Sequence, residues 1–223
     1  MFNLFKSLTG GGGYLGVDIG TISIKIAELE KGLKKPVLKN YGTLEGSGHL
    51  DRINDAIQTS SLKMMDKDVI GLLELLMKQI KVRSKKANVS IPSFSSFTTL
   101  LDIPAMSPKE MTQAIYYQAK AFVPIPLQDV TIDWTVVGEY EDERGVKKQQ
   151  IFLVSVPNEV IKRYQRIFGA VGLSLQALEI EGFSTARVLS RKEQGDVLIV
   201  DIGGRSTTIS VASKGFLKFN AQT

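Results

Sequence analysis

The sequence contains no cysteine, so neither a disulfide framework nor a thiolate metal site is available to it. Its one histidine, His49, sits in a Gly/Ser-rich stretch (EGSGHLD) and cannot by itself build a histidine-based zinc centre. No apolar run reaches the roughly 18 residues needed to span a bilayer. The opening Met1 to Leu8 (MFNLFKSL) is too short for a secretory signal and lacks a small-residue cleavage site. Nothing therefore points to export, and the cytoplasm is the expected compartment. Neither GxxxxGK[ST] nor GxGxxG occurs, which excludes the two commonest phosphate loops. The tetrad Gly10 to Gly13 fits neither pattern and reads as a flexible lead-in.

What is present is an ordinary globular composition: 223 residues, 43% hydrophobic and 23% charged, enough for one large domain or two modest ones. The formal charge is +5, and much of it lies in KQIKVRSKKAN, Lys78 to Asn88. Such a run reads first as the solvated end of a helix. Its functional alternative is attraction to an anionic membrane surface. Nucleic acid is disfavoured, because no aromatics interleave with the basic residues.

An internal repeat decides the class. Residues 14–32 read YLGVDIGTISIKIAELEKG and residues 197–215 read VLIVDIGGRSTTISVASKG; nine of the nineteen aligned positions are identical. Each copy is an apolar run, Asp-Ile-Gly, a hydroxyl residue, an alternating run and Lys-Gly, the pattern of a β-hairpin. Second turns at Lys31-Gly32 and Lys214-Gly215 should lead to third strands, with Leu33 to Leu44 supplying the first.

The residue types of this hairpin suit phosphate. Gly20 and Gly203 let an anion approach the turn backbone, and free turn N–H groups form an anion-binding concavity. Thr21, Ser23 and Lys25 in the first copy, and Gly204, Ser206 and Thr207 in the second, complete the candidate phosphate-binding sets. Asp18 and Asp201 would repel a polyphosphate unless a cation lay between. Mg²⁺, held largely through water, fits that role, and ATP with Mg²⁺ is the expected ligand. A single Asp-Ile-Gly is commonly just a strand-end turn. Two in matched contexts favour the phosphate reading.

At these residues the sequence resembles the superfamily of actin, heat-shock and hexokinase ATPases, whose two phosphate motifs are hairpins of this kind. Within it the likeness is greatest to the PilM family of type IV pilus assembly, with FtsA division proteins next. The stretches MFNLFK, LGVDIGTISIKIAEL, KAFVPIPLQDVTIDWTVVGE (Lys120 to Glu139) and LVSVPNEVIKRYQRIFGAVGLSLQALEIEGFSTARVL (Leu153 to Leu189) carry it. The resemblance implies an α/β, actin-like (ribonuclease H-like) fold with an FtsA-type strand-helix-strand-strand insert and a truncated second lobe. It places a first subdomain at 13–93 plus 149–194, the insert at 94–148 and the start of the second lobe at 195–223. It implies an ATP-binding adaptor at the inner face of the cytoplasmic membrane. The implied partner is a PilN-like inner-membrane protein, whose short N-terminal cytoplasmic peptide binds in a groove between the insert and the first subdomain. Membrane association would be indirect; weak ATP hydrolysis and self-association are compatible with the family. The adenosine-binding segment should lie beyond this chain.

The residues between the hairpins fit that scheme. Val69, Leu72, Leu73, Leu76 and Ile80 mark a helix over Lys67 to Ile80. Ala87 to Pro92 and Phe97 to Ile103 read as strands. Ser107-Pro108-Lys109-Glu110 is a capping box opening a helix to about Ala121. Val130 to Gly138 and Lys147 to Val156 read as two further strands, and Pro157 should open the next helix, stopped by Gly172. Trp134 is expected in sheet packing rather than at a partner. Glu179 and Glu181 precede the second hairpin; in the superfamily this region can orient the attacking water, whereas such carboxylates are mostly exposed caps. No catalytic residue is assigned. An FtsA-type division protein and a sugar or acetate kinase are the alternatives, and the latter needs a positioned base that no motif here supplies.

Overall fold

The computed structural model describes residues 13–21, 23–33, 35–46, 64–203 and 206–222. Met1 to Leu8, Gly10 to Gly12, His49 and Gly204 lie outside them. The chain forms two compact units: one holds Gly13 to Pro92 with Ile161–Glu179, the other Ser93–Val160 with Ile180–Thr223.

The first unit is built on a five-stranded mixed sheet in the order β3-β2-β1-β4-β8. Strands β1 (Tyr14–Ile19) and β2 (Ser23–Glu30) form an antiparallel hairpin, and β3 (Val37–Glu45) continues it. Strand β4 (Lys86–Ile91) runs parallel to β1, and β8 (Ser174–Ile180) lies beside β4. Alternation buries Leu15, Val17 and Ile19 of β1 and Ile24 and Ile26 of β2. Helix α1 (Asp66–Gln79) buries Val69, Leu72, Leu73 and Leu76, the stripe its period predicts. Its first residue, Asp66, is held by Arg163 Nε at 2.6 Å and Arg166 Nη2 at 3.4 Å. Both arginines come from α3 (Asn158–Ala170), whose Ile161, Tyr164, Ile167 and Phe168 are buried.

The second unit contains two three-stranded sheets. One has the order β5-β7-β6, all antiparallel, from β5 (Phe97–Pro104), β6 (Val130–Glu141) and β7 (Lys147–Pro157). Helix α2 (Pro108–Phe122) covers it, packing Met111, Ile115 and Ala119 on Leu101, Ile103, Ile132, Ile151 and Leu153. Trp134 packs partly buried against this core, as expected of it. The capping box forms: Ser107 N–H donates to Glu110 Oε2 at 3.0 Å, and Glu110 N–H to Ser107 Oγ at 3.5 Å. The strand-helix-strand-strand order of the expected insert is thus present. Pro157 closes β7, in register with Val130, and α3 opens one residue later at Asn158. Gly172, with φ of 70°, ends the turn after that helix.

The other sheet has the order β11-β10-β9, from β9 (Asp196–Ile202), β10 (Thr207–Ser213) and β11 (Phe216–Gln222). Helix α4 (Glu181–Leu189) packs on it where Gly182 meets Asn220 and Leu217. Val137 of β6 is a bulge, unmatched between the pairs Val136–Ile151 and Gly138–Gln150. Its carbonyl accepts a hydrogen bond from Lys218 Nζ of β11, which also reaches Gln150 Oε1 at 2.9 Å. Burial lowers the Lys218 pKa, opposed by the charges of Asp196 and Asp102.

Candidate functional site

The repeat seen in the sequence is a repeat of structure. In the first hairpin Asp18 pairs with Lys25 and Ile19 with Ile24. In the second Asp201 pairs with Thr208 and Ile202 with Thr207. A single offset of 183 residues maps every one of these pairs onto its counterpart. The turns match in detail as well: Gly20 N–H donates to Ser23 O at 2.9 Å, and Gly203 N–H to Ser206 O at 2.9 Å.

These closures revise one expectation. The amides of Gly20 and Gly203 are engaged in the turn and are not free donors for an anion. The glycines have a geometric reason of their own, because an added Cβ would lie 3.1 Å from Ser23 O and 3.0 Å from Ser206 O. The third strands differ. Lys214 (φ 50°) and Gly215 (φ 87°) make a two-residue turn of the type that suits hairpins. After the first copy, Glu30 pairs with Val37 across residues 31–36, so Lys31-Gly32 is not a tight turn and β3 starts at Val37 rather than Leu33.

The first hairpin gathers Asp18, Gly20, Thr21, Ser23 and Lys25 at one end of the sheet. Because β1 is an interior strand, Asp18 has Lys25 on one side and Ser90 of β4 on the other. Lys25 Nζ lies 3.5 Å from Asp18 Oδ2, with both side chains substantially exposed. The second hairpin gathers Asp201, Gly203, Ser206 and Thr207. Here β9 is an edge strand, so among the described residues Asp201 has only Thr208 paired beside it, and it is exposed. The cation that accompanies the first aspartate has no counterpart at the equivalent position of the second.

Sequence reasoning missed Gln222, whose Nε2 donates to Ser206 Oγ at 2.7 Å. Only the register of β10 with β11, which sets Thr208 opposite Gln222, could have pointed to it. It also missed the outer face of α2, where Tyr116, Tyr117 and Phe122 are exposed while Met111, Ile115 and Ala119 face the core. Of the two glutamates considered for catalysis, Glu179 is the penultimate residue of β8 and Glu181 opens α4, both half-buried.

The donor set suits hydrated Mg²⁺ on a polyphosphate better than a metal caged by protein alone. Each hairpin offers one carboxylate beside hydroxyls, and among the described residues no three acidic or histidine side chains converge. Magnesium bound to phosphates needs only one or two carboxylates.

A family profile described as type IV pilus assembly protein PilM matches residues 16–222. Among solved structures, a PilM–PilN type IV pilus biogenesis complex aligns with a TM-score of 0.76 at 17% identity, over 94% of this chain and 60% of that one. The cytoplasmic domain of EpsL, an inner-membrane component of the type II secretion system of Vibrio cholerae, aligns with a TM-score of 0.60 at 11% identity, over 95% of this chain and 71% of that one. At such identities the likeness speaks for the fold alone. The chain spans about 60% of the length of the PilM chain it matches. No helix among the described residues is long and apolar enough to cross a membrane.

Proposed function

Because the chain belongs to the family of the type IV pilus assembly protein PilM, we propose that it is an actin-like, ATP-binding adaptor of the pilus assembly platform, working at the cytoplasmic face of the inner membrane. The observation that carries the nucleotide half of this reading is the common register and common turn closure of the two Asp-Ile-Gly hairpins. Thr21 and Ser23, and likewise Ser206 and Thr207, would donate hydroxyl hydrogen bonds to phosphate oxygens. Lys25 adds a positive charge on the first hairpin. Asp18 and Asp201 would hold a hydrated Mg²⁺ through its water. Mg²⁺, when bound, offsets the charge of the phosphates so that carboxylates and phosphates can share a site.

The partner half rests on the insert of residues 94–148. Its helix exposes Tyr116, Tyr117 and Phe122, large aromatics of the kind that anchor peptides. The partner proposed is a PilN-like inner-membrane protein, engaged through its short cytoplasmic N-terminal peptide. A PilM–PilN complex among the structural neighbours supports this choice.

The test is binding by the full-length protein. ATP with Mg²⁺ should raise its melting temperature, and a ligand at 100 times its Kd adds about 2.7 kcal/mol. Asp18→Ala and Asp201→Ala should each lose that shift while still binding the PilN-like peptide. Tyr117→Ala should weaken the peptide and keep the ATP shift. Full ATP stabilisation in both aspartate variants would sink the site assignment. Robust phosphoryl transfer to a small metabolite would replace the adaptor with a kinase.

A further inference from the structure

The end of the five-stranded sheet opposite the Gly20–Ser23 turn carries a surface that nucleotide binding does not use. There β1 begins, β2 ends, β3 begins and β4 begins, as the pairs Tyr14–Leu29, Glu30–Val37 and Leu15–Ala87 require. Two basic segments meet at this end. Lys31 and Lys35 follow β2, and Lys81, Arg83, Lys85 and Lys86 follow α1 and open β4; all six are exposed. They flank a single residue: a Cβ on Gly13 would lie 2.7 Å from Ser84 Oγ and 3.4 Å from Glu30 Cγ.

Acidic groups at this end are already used. Glu30 pairs with Lys39 at 3.0 Å. Glu28 is buried, and its carboxylate accepts from Asn40 Nδ2 at 2.6 Å and from the backbone N–H groups of Arg83 (3.0 Å) and Ser84 (2.6 Å). The basic loop is therefore held in place by a buried anchor, while Lys81, Arg83 and Lys85 stay exposed and Lys86, also exposed, carries its Nζ 5.8 Å from the centroid of the Tyr14 ring. Between the lysines stands Leu33, fully exposed, followed by the exposed Val37 and Leu38 on the edge strand β3.

An exposed aliphatic tip inside a basic rim is the chemistry of a lipid interface: cations at the depth of the phosphates, an apolar side chain beneath them. Nucleic acid would want aromatic stacking partners, which the two basic segments lack. We propose that this end of the sheet is a docking surface for anionic phospholipid, with Leu33 entering the headgroup layer and Lys31, Lys35, Lys81, Arg83, Lys85 and Lys86 binding lipid phosphates. The contact is direct and needs no partner protein, so it goes beyond the adaptor reading.

Protein-free vesicles test it, and failure leaves the partner reading untouched. The 223-residue chain should co-sediment with phosphatidylcholine vesicles holding roughly 30% phosphatidylglycerol and stay in solution with phosphatidylcholine alone, with binding falling as salt rises. Replacing Lys81, Arg83, Lys85 and Lys86 together by Gln should weaken binding by about two to three orders of magnitude, since each basic residue contributes about 1 kcal/mol and a factor of ten is about 1.4 kcal/mol. Leu33→Ser should weaken it severalfold without changing the salt dependence. Melting curves of each variant confirm folding, and Leu33→Ser, at a fully exposed position, keeps the test open if the quadruple variant unfolds. Equal loss on replacing Lys109, Lys120, Lys147 and Lys192 by Gln would reduce the effect to net charge and overturn the proposal. So would absence of vesicle binding at low salt, or binding of duplex DNA by this rim in place of vesicles.

Discussion

Glu28 is a charged residue with almost no exposed surface, and its position on β2 explains how it survives there. Burial alone would raise its pKa, but the bonds from Asn40, Ser84 and Arg83 outweigh that and hold it below the ordinary glutamate value of 4.5. Charge-assisted bonds of this kind contribute more than neutral ones, and an amide that kept its oxygen on the two backbone N–H groups would turn its NH2 toward the Asn40 Nδ2 donor. Glu28→Gln should therefore cost about 1.5–3 kcal/mol in urea unfolding at neutral pH. The folded-state pKa is depressed, so the unfolded chain takes up the proton first as pH falls. The contribution is complete above the ordinary glutamate pKa and is lost as pH drops through the folded value. Wild type should lose stability in that acidic window more steeply than Glu28→Gln; parallel pH profiles would show that the carboxylate is not the anchor. In the sequence Glu28 is one polar residue of an alternating strand, with no sign that its partners lie 12 and more than 50 positions away.

Elements were legible where their signals are local. The stripe of α1, the Ser107–Glu110 box of α2 and the Asp-Ile-Gly turns each lie within a few residues, and each forms where the pattern places it. The third strand of the first repeat was misplaced because Lys31-Gly32 copies Lys214-Gly215 in letters and not in surroundings. Pro36 has no N–H to give a ladder, so pairing resumes only at Val37, and Gly32 lacks the positive φ of Gly215. Packing between elements was not legible either. Gly182 looks like a poor helix residue, yet a Cβ there would sit 2.8 Å from Asn220 Oδ1 and 3.3 Å from Leu217 Cδ2. Asn220 cannot swing aside freely, since that oxygen accepts from Ser210 Oγ at 2.8 Å. Gly182→Ala should lower stability by about 1–3 kcal/mol despite its better helix propensity. An unchanged or raised melting temperature would mean that α4 does not approach β11 so closely.

At the scale of the whole molecule the duplication places one Asp-Ile-Gly hairpin in each compact unit, in different settings: β1 is interior to its sheet and β9 is at an edge. The sequence displayed the duplication openly but not this difference, because strand order depends on residues far outside either repeat. The paired turn closures have a use of their own. Gly20 and Gly203 both follow an isoleucine, so their amides have nearly the same intrinsic rate of exchange with deuterated water. Both are closed by a bond of 2.9 Å. The ratio of their measured exchange rates therefore reads the difference in local opening free energy between the two hairpins, about 1.4 kcal/mol for each factor of ten. Gly203, beside an edge strand, should exchange faster; equal rates would show that the neighbouring strand does not set the stability of the turn. ATP with Mg²⁺ added to the full-length protein should slow each amide in proportion to the hold of its own hairpin on phosphate. One molecule then carries two internal clocks, set alike by the duplication and each timing a separate half of the grip.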